Sequence, residues 1–187
     1  RVIVAYGQEK GLRYTLFRPF NWIGPRLDTF KDAEERTARS ITQMVYDVLS
    51  GRGITLVNGG EQMRSFTHIS DGVAALMAIL ADEKASNGKI FNIGNPANNA
   101  SIKELAHLVI DVMKEIPSFR EAAEKASVTV MPAEQYYGNG YDDMKNRVPS
   151  IRAIGAALGW KPRVPLREAV AMTVASYLDS GEEKSRG

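Results

Sequence analysis

Cysteine is absent from the chain, which excludes disulfides, thiolate nucleophiles and cysteine-ligated metals. Histidine is nearly absent: His68 and His107 stand too far apart for metal-ligand spacing, and neither has a serine and an acid at triad-like positions. Both are therefore read as core-edge or exposed histidines, with no metal site. An excess of one charge is also missing. With 24 Lys and Arg against 22 Asp and Glu, net charge is +2, so no broad basic surface points to nucleic acid. No apolar run approaches the ~20 residues of a membrane span, and no basic-then-apolar start reads as a signal peptide. A cytoplasmic protein acting on a small molecule is the remaining class. Equally lacking is a strand, a G-x-G-x-x-G or G-x-x-G-x-x-G loop and a helix, the arrangement that seats a dinucleotide pyrophosphate.

What is present fits a globular α/β chain: of 187 residues, 44% are apolar and 25% charged. RVIVAYG reads as the last turns of a helix, with Gly7 near its stop and Arg1 at a cut edge. Tyr14 to Arg18 reads as a strand emptying into a loop that runs on through GPRLDTFKDAEER, where Lys31 to Arg36 looks like a solvated charge run. Ser40 to Ser50 carries a helical apolar stripe, Ile54 to Val57 is a short strand, NGGEQM a loop and RSFTHI a strand. Asp71 is expected to open a helix whose apolar face is Val73, Ala74, Met77 and Leu80.

The strand KIFNIG ends in a turn at NIGNP, read as structural. Ser101 with Glu104, and Ser118 with Glu121, form capping-box patterns. SVTVM is a strand, AEQYYGNGYDDMKNR a polar aromatic loop, Ser150 a cap for a helix to Leu158, and Leu166 to Leu178 the last helix. The segment 181–187 reads as a frayed tail. Helices and strands alternate without an internal repeat, so the whole of 1–187 is expected to be one portion of an α/β domain.

Four patches concentrate the chemistry. In RPFNWIGPRLD, Asn21 stands where a strand gives way to a loop, a place for a ligand-facing amide or for a turn-closing one, and Arg18 is kept as structural. In TLVNGGEQMRSF, the Gly59-Gly60 pair allows close backbone approach, and Gln62 and Arg64 follow it. Arg64 suits a bidentate phosphate contact, although an isolated G-G-x-Q is more often a plain hairpin. NIGNP is the third patch. The fourth, YYGNGYDDMKNRVPSIR, holds Tyr141 and Arg147. From Met144 to Arg167 there are six basic residues and no acidic one, a local charge suited to an anion or merely flanking a helix in water.

In order and spacing, R-P-F-N-W-I-G-P, N-G-G-E-Q-M-R-S-F, N-I-G-N and R-V-P resemble the C-terminal part of extended short-chain dehydrogenases, the NAD-dependent epimerase/dehydratase family. NWIGPRLD, YYGNGYDD and RVPSIR are most similar to the UDP-glucuronate decarboxylase half of ArnA-type bifunctional polymyxin-resistance enzymes. The likeness covers nearly the whole chain. It implies the substrate-binding part of such an enzyme, with a few strands of a Rossmann-type sheet but without the dinucleotide-binding strands.

It further implies that the family's catalytic Tyr-x-x-x-Lys lies before Arg1, and the chain itself is expected to lack that order. The complete enzyme would use NAD, none held by this chain alone, to convert UDP-glucuronate to a UDP-4-keto-pentose in lipid A aminoarabinose modification. The isolated chain would be inactive, and loss of the preceding half would bare apolar surface. Association of copies is left open.

By the same resemblance Asn21, Arg39, Thr55, Gln62, Arg64 and Tyr141 meet the UDP-sugar, and Arg147 is the catalytic residue. Thr55 replaces a lysine of the ArnA-type pattern, and the run before Arg39 lacks that pattern's glycine-containing sequence. An arginine holds its proton too firmly for the near-neutral range that favours proton transfer. Arg147 is therefore read either as the proton donor or as a group that steadies carboxylate or enolate. Two alternatives stand beside this reading: another NAD-dependent nucleotide-sugar epimerase or dehydratase, and a non-catalytic sugar-nucleotide-binding or assembly module.

Overall fold

Helix boundaries follow glycine, proline and capping side chains more closely than they follow hydrophobic periodicity. A computed structural model describes residues 1–137 and 144–178, Tyr137 by its backbone alone; Tyr141 and the 179–187 tail lie outside the described residues. Helix α1 (Val2–Lys10) ends on Gly11 at φ 68°, not at Gly7. Gly7 lies inside the helix, where an added Cβ would sit 2.4 Å from the Tyr14 ring.

Strands β1 (Thr15–Pro19) and β2 (Trp22–Ile23) follow. The expected solvated run instead contains helix α2 (Phe30–Glu34). The reason is a capping box: Thr29 Oγ1 accepts the Asp32 N–H at 3.2 Å, Asp32 accepts the Thr29 N–H at 2.7 Å, and Ala33 is fully buried.

Next come α3 (Ser40–Leu49), β3 (Ile54–Val57), a 3₁₀ turn over Asn58–Gly60, β4 (Met63–Ser65) and β5 (Thr67–His68). The single strand expected over RSFTHI is thus divided at buried Phe66, its halves joining different sheets. Helix α4 (Ile69–Ala81) starts before Asp71, because His68 Nδ1 caps it by accepting the Ser70 N–H. Then come α5 (Glu83–Ser86), β6 (Lys89–Ile93), β7 (Asn99–Ser101) and α6 (Ile102–Glu115), the last with the expected Ser101–Glu104 capping box.

In α7 (Pro117–Glu124), Pro117 occupies the first turn, so Ser118 lies inside the helix and the second expected box does not form. After β8 (Val128–Met131), α8 (Ala133–Tyr137) and β9 (Asn146–Arg147), α9 (Arg152–Leu158) is preceded by Ile151, leaving Ser150 outside as no cap. It ends on Gly159 in the left-handed region. Helix α10 (Leu166–Ala175) closes the described fold.

Pairing is parallel for β1 with β6, β2 with β5 and β3 with β8, while β4 lies antiparallel to β7 and parallel to β9. Parallel strands linked through helices make this an α/β fold. Its larger core joins Val45 and Val48 of α3 to Leu105, Val109 and Met113 of α6 and to Val170 and Val174 of α10. Burial of each such side chain contributes about 1.5–3 kcal/mol. A smaller core joins Ala75 and Ile79 to Phe91, Ile93, Ile154 and Trp160.

Helix α4 reverses the expected orientation. Val73, Met77 and Leu80 are 48%, 60% and 75% exposed, and Ala74 is exposed with them, whereas Gly72, Ala75 and Ile79 are buried. The helix is apolar on both sides, so periodicity cannot choose between them. Distant contacts do: the Asp71 carboxylate accepts the Arg163 and Val164 N–H groups, each at 3.0 Å, and Gly72 admits the Trp22 indole. Among the described residues no helix is long and apolar enough to cross a membrane.

Candidate functional site

Alternation along β3 sends Ile54 and Leu56 into the core and leaves Thr55 and Val57 half-buried. Three successive positive φ values, at Asn58, Gly59 and Gly60, then turn the chain into β4. Glycine is required at position 60, since a Cβ would lie 3.0 Å from the Lys103 nitrogen and 3.2 Å from Leu56 Cδ2. This turn brings Thr55, Gln62 and Arg64 to the wall of one cleft of about 340 Å³. That volume falls within the ~300–1,000 Å³ typical of small-molecule sites.

The opposite wall comes from α3, whose Ser40, Gln43, Met44 and Asp47 form an i, i+3, i+4, i+7 stripe. Arg36 and Ala38 extend it, and Tyr136 of α8 adds an aromatic edge. Asn58 positions α8, its Oδ1 accepting the Ala133 N–H at 2.8 Å.

Charge in the cleft is held in place by specific bonds. Buried Arg64 donates through Nη1 to the Met63 and Met144 carbonyls, both at 2.7 Å. Buried Asp47 receives Gln43 Nε2 at 3.1 Å and lies 3.5 Å from Arg36 Nη1. Arg147, exposed, is the register partner of Arg64 in the β4–β9 pair.

Three expected site residues, Arg147, Asn21 and Arg39, do not line the cleft. Asn21, at φ 38°, donates through Nδ2 to the Ser65 carbonyl at 2.9 Å and so ties the end of β1 to β4. Arg39 precedes the first turn of α3, and its guanidinium pairs with Asp28 and donates to the Leu27 carbonyl at 2.9 Å. Asp28 also accepts from Thr42 at 3.1 Å, and Thr42 lies 2.8 Å from the Tyr177 hydroxyl. Burial pushes the Tyr177 phenol above its ordinary value, against the opposing effect of its bond with Thr42. These contacts fix the loop that carries Arg36.

The model of the NAD dependent epimerase/dehydratase family matches residues 1–94. The chain belongs to the NAD-dependent epimerase/dehydratase family. Among solved structures, the PbgP3 protein of Burkholderia pseudomallei is 35% identical at a TM-score of 0.81, the match covering 98% of this chain and 51% of that one. UDP-glucose 4-epimerase of Thermotoga maritima with UDP-glucose is 23% identical at a TM-score of 0.74, covering 94% and 49%. UDP-glucuronic acid 4-epimerase of Bacillus cereus, in complex with UDP-glucuronic acid and NAD, is 20% identical at 0.72, covering 94% and 48%. The chain spans about half the length of these relatives.

The glycine pair on the cleft leads through a 3₁₀ turn into β4, not into a helix N-terminus, so it is not a pyrophosphate cradle. A Tyr-x-x-x-Lys order does occur, Tyr6 to Lys10 on α1, contrary to the expectation that the chain lacks it. Both residues are exposed, and neither lines the cleft. A second hollow, of about 450 Å³, runs along Phe17, Leu76, Ile79 and Leu80 and holds none of the expected site residues.

Arg36, Gln43, Asp47 and Tyr136 were not legible as site residues. Asp47 left a trace as the one acidic residue of α3, and Tyr136 as the first tyrosine of the YYGNGYDD patch.

Proposed function

We propose that the cleft holds the UDP moiety of a UDP-sugar, and that the complete enzyme decarboxylates UDP-glucuronate to a UDP-4-keto-pentose. The reading rests on one observation: Thr55, Gln62 and Arg64 converge on a single cleft with Arg147 in register beside Arg64. A diphosphate suits the site, since each charge-assisted hydrogen bond contributes roughly 1.5–3 kcal/mol. The UDP-sugars bound by the Thermotoga and Bacillus neighbours support this choice.

In this reading Thr55 and Gln62 supply neutral hydrogen bonds to the nucleotide, and Tyr141 joins the sugar end. Asn21 and Arg39 support the site, the one by anchoring β4 and the other by fixing Asp28. Hydride chemistry belongs to the NAD of the family, held by residues other than those of the cleft. Once C4 of the sugar is a ketone, the carboxylate stands β to a carbonyl, and loss of carbon dioxide leaves an enolate. Arg147 presents a planar cation that steadies first the carboxylate and then the enolate oxygen. Proton return then comes from a water that Arg147 orients, since a guanidinium holds its own proton too firmly to give it up. By this reading the enzyme stands with the ArnA-type decarboxylases of lipid A aminoarabinose modification.

The test is to supply the full-length protein with NAD and either UDP-glucuronate or UDP-glucose. Carbon dioxide and NADH from UDP-glucuronate are the expected result. Interconversion of either sugar with its 4-epimer, without carbon dioxide, assigns an epimerase instead. Binding without turnover of either sugar assigns a non-catalytic module.

A further inference from the structure

Arg36 occupies a backbone conformation that favours glycine. Its φ is 60°, and the turn that imposes it is closed by the Thr37 and Ala38 N–H groups, which reach the Asp32 carbonyl at 2.9 and 3.2 Å. The conformation places the guanidinium on the cleft, 3.5 Å from Asp47 Oδ2. The pair is unequal. The Asp47 side chain is 9% exposed and is gripped at Oδ1 by Gln43, while the Arg36 side chain is 50% exposed. A guanidinium has five N–H donors, and one long contact to Asp47 leaves most of them for another acceptor. Without Arg36, the buried carboxylate of Asp47 would oppose any anion entering the cleft.

We propose that Arg36 is a ligand-binding residue of this cleft that selects a nucleoside diphosphate over the uncharged nucleoside, with Asp47 as its positioning residue. Arg64 and Arg36 then meet the diphosphate from opposite walls. The inference rests on the reading of the cleft as a UDP-sugar site, and it adds a second cation that the family motifs in the sequence do not include.

The experiment is calorimetric titration of the full-length protein with UDP and with uridine, for the wild type, Arg36→Gly and the double variant Arg36→Gly/Asp47→Asn, alongside thermal unfolding. Glycine suits φ 60°, so Arg36→Gly is expected to unfold at the wild-type temperature or above it. Its affinity for UDP is expected to fall about tenfold or more, and for uridine by less than about threefold. The double variant is expected to stay weak for UDP. Recovery of UDP affinity in the double variant would reduce Arg36 to a neutraliser of Asp47 and overturn the proposal. So would UDP affinity of Arg36→Gly within about twofold of wild type, or failure of that variant to fold. A wild type that binds UDP no better than uridine would remove the UDP-site reading as well. Wild-type preference for UDP with an unaffected Arg36→Gly removes this inference alone.

Discussion

Arg64 and Arg147 are register partners in the parallel pairing of β4 with β9, one buried and the other exposed. The difference in burial separates what their substitution does. Arg147→Ala is expected to change stability by no more than about 0.5 kcal/mol while carbon dioxide release falls about tenfold or more. Arg147→Lys keeps the charge but loses the planar fork, and its rate is expected to fall nearly as far. Near-wild-type initial rates for the lysine variant would exclude a role for the guanidinium plane. Arg64→Ala, in contrast, strips donors from the Met63 and Met144 carbonyls and is expected to lower unfolding free energy in urea by about 1–3 kcal/mol.

Asp71 joins α4 to the segment before α10 through two backbone N–H bonds, at Arg163 and Val164. Asp71→Ala leaves both donors without that acceptor and is expected to cost about 2–5 kcal/mol. Asp71→Asn retains one acceptor oxygen and should cost less. Trp160, which donates through Nε1 to the Asp71 carbonyl at 3.2 Å, gives a local fluorescence report on the same contact. Equal stability of the alanine variant and the wild type would show that this junction contributes nothing.

His68 gives a pH prediction. Its Nε2 is buried without a hydrogen-bond partner among the described residues, and burial pulls its pKa below the ordinary 6.5, against the opposing fields of Asp71 and Glu168. A histidine held neutral in the folded state contributes stability above pH 6.5 that is lost as pH falls from there toward the folded value, because the unfolded chain takes the proton first. Unfolding free energy measured from pH 7.5 to 5 is expected to decline less steeply in His68→Leu than in the wild type. Identical slopes would show that His68 carries no such linkage.

Met77 and Leu80 project from the uncovered side of α4. Met77→Lys with Leu80→Lys is expected to shift the unfolding midpoint of this 187-residue chain little, since neither residue is in the core, and any association of copies through this apolar face is expected to weaken. Light scattering against concentration measures it. Undiminished association in the double variant would assign the contact to another face.

The part of the site legible in the sequence lies on one short stretch. Thr55, Gln62 and Arg64 flank a glycine turn whose geometry is local, so reading the turn amounts to reading their placement. Arg36 and Asp47 meet across separate elements, and nothing in the charge-rich run over 31–36 distinguishes a cleft arginine from a solvated one. Asn21 shows the converse. Its place at a strand end was legible, but its bond to Ser65, 44 residues on, required the fold.

The sequence by itself determined the α/β class, the strand over Ile54–Val57, the Ser101–Glu104 cap and the family motifs, because capping, turns and periodicity depend on neighbours within a few residues. Tertiary structure alone decided which side of α4 is buried, where RSFTHI divides, and that Arg36 reaches Asp47. The bond from Asp71 to Arg163 spans 92 residues, and sheet pairing divides Ser65 from Thr67. Such contacts form only after chain segments have been brought together, and local sequence carries no record of which distant partner satisfies a buried carboxylate or covers an apolar face.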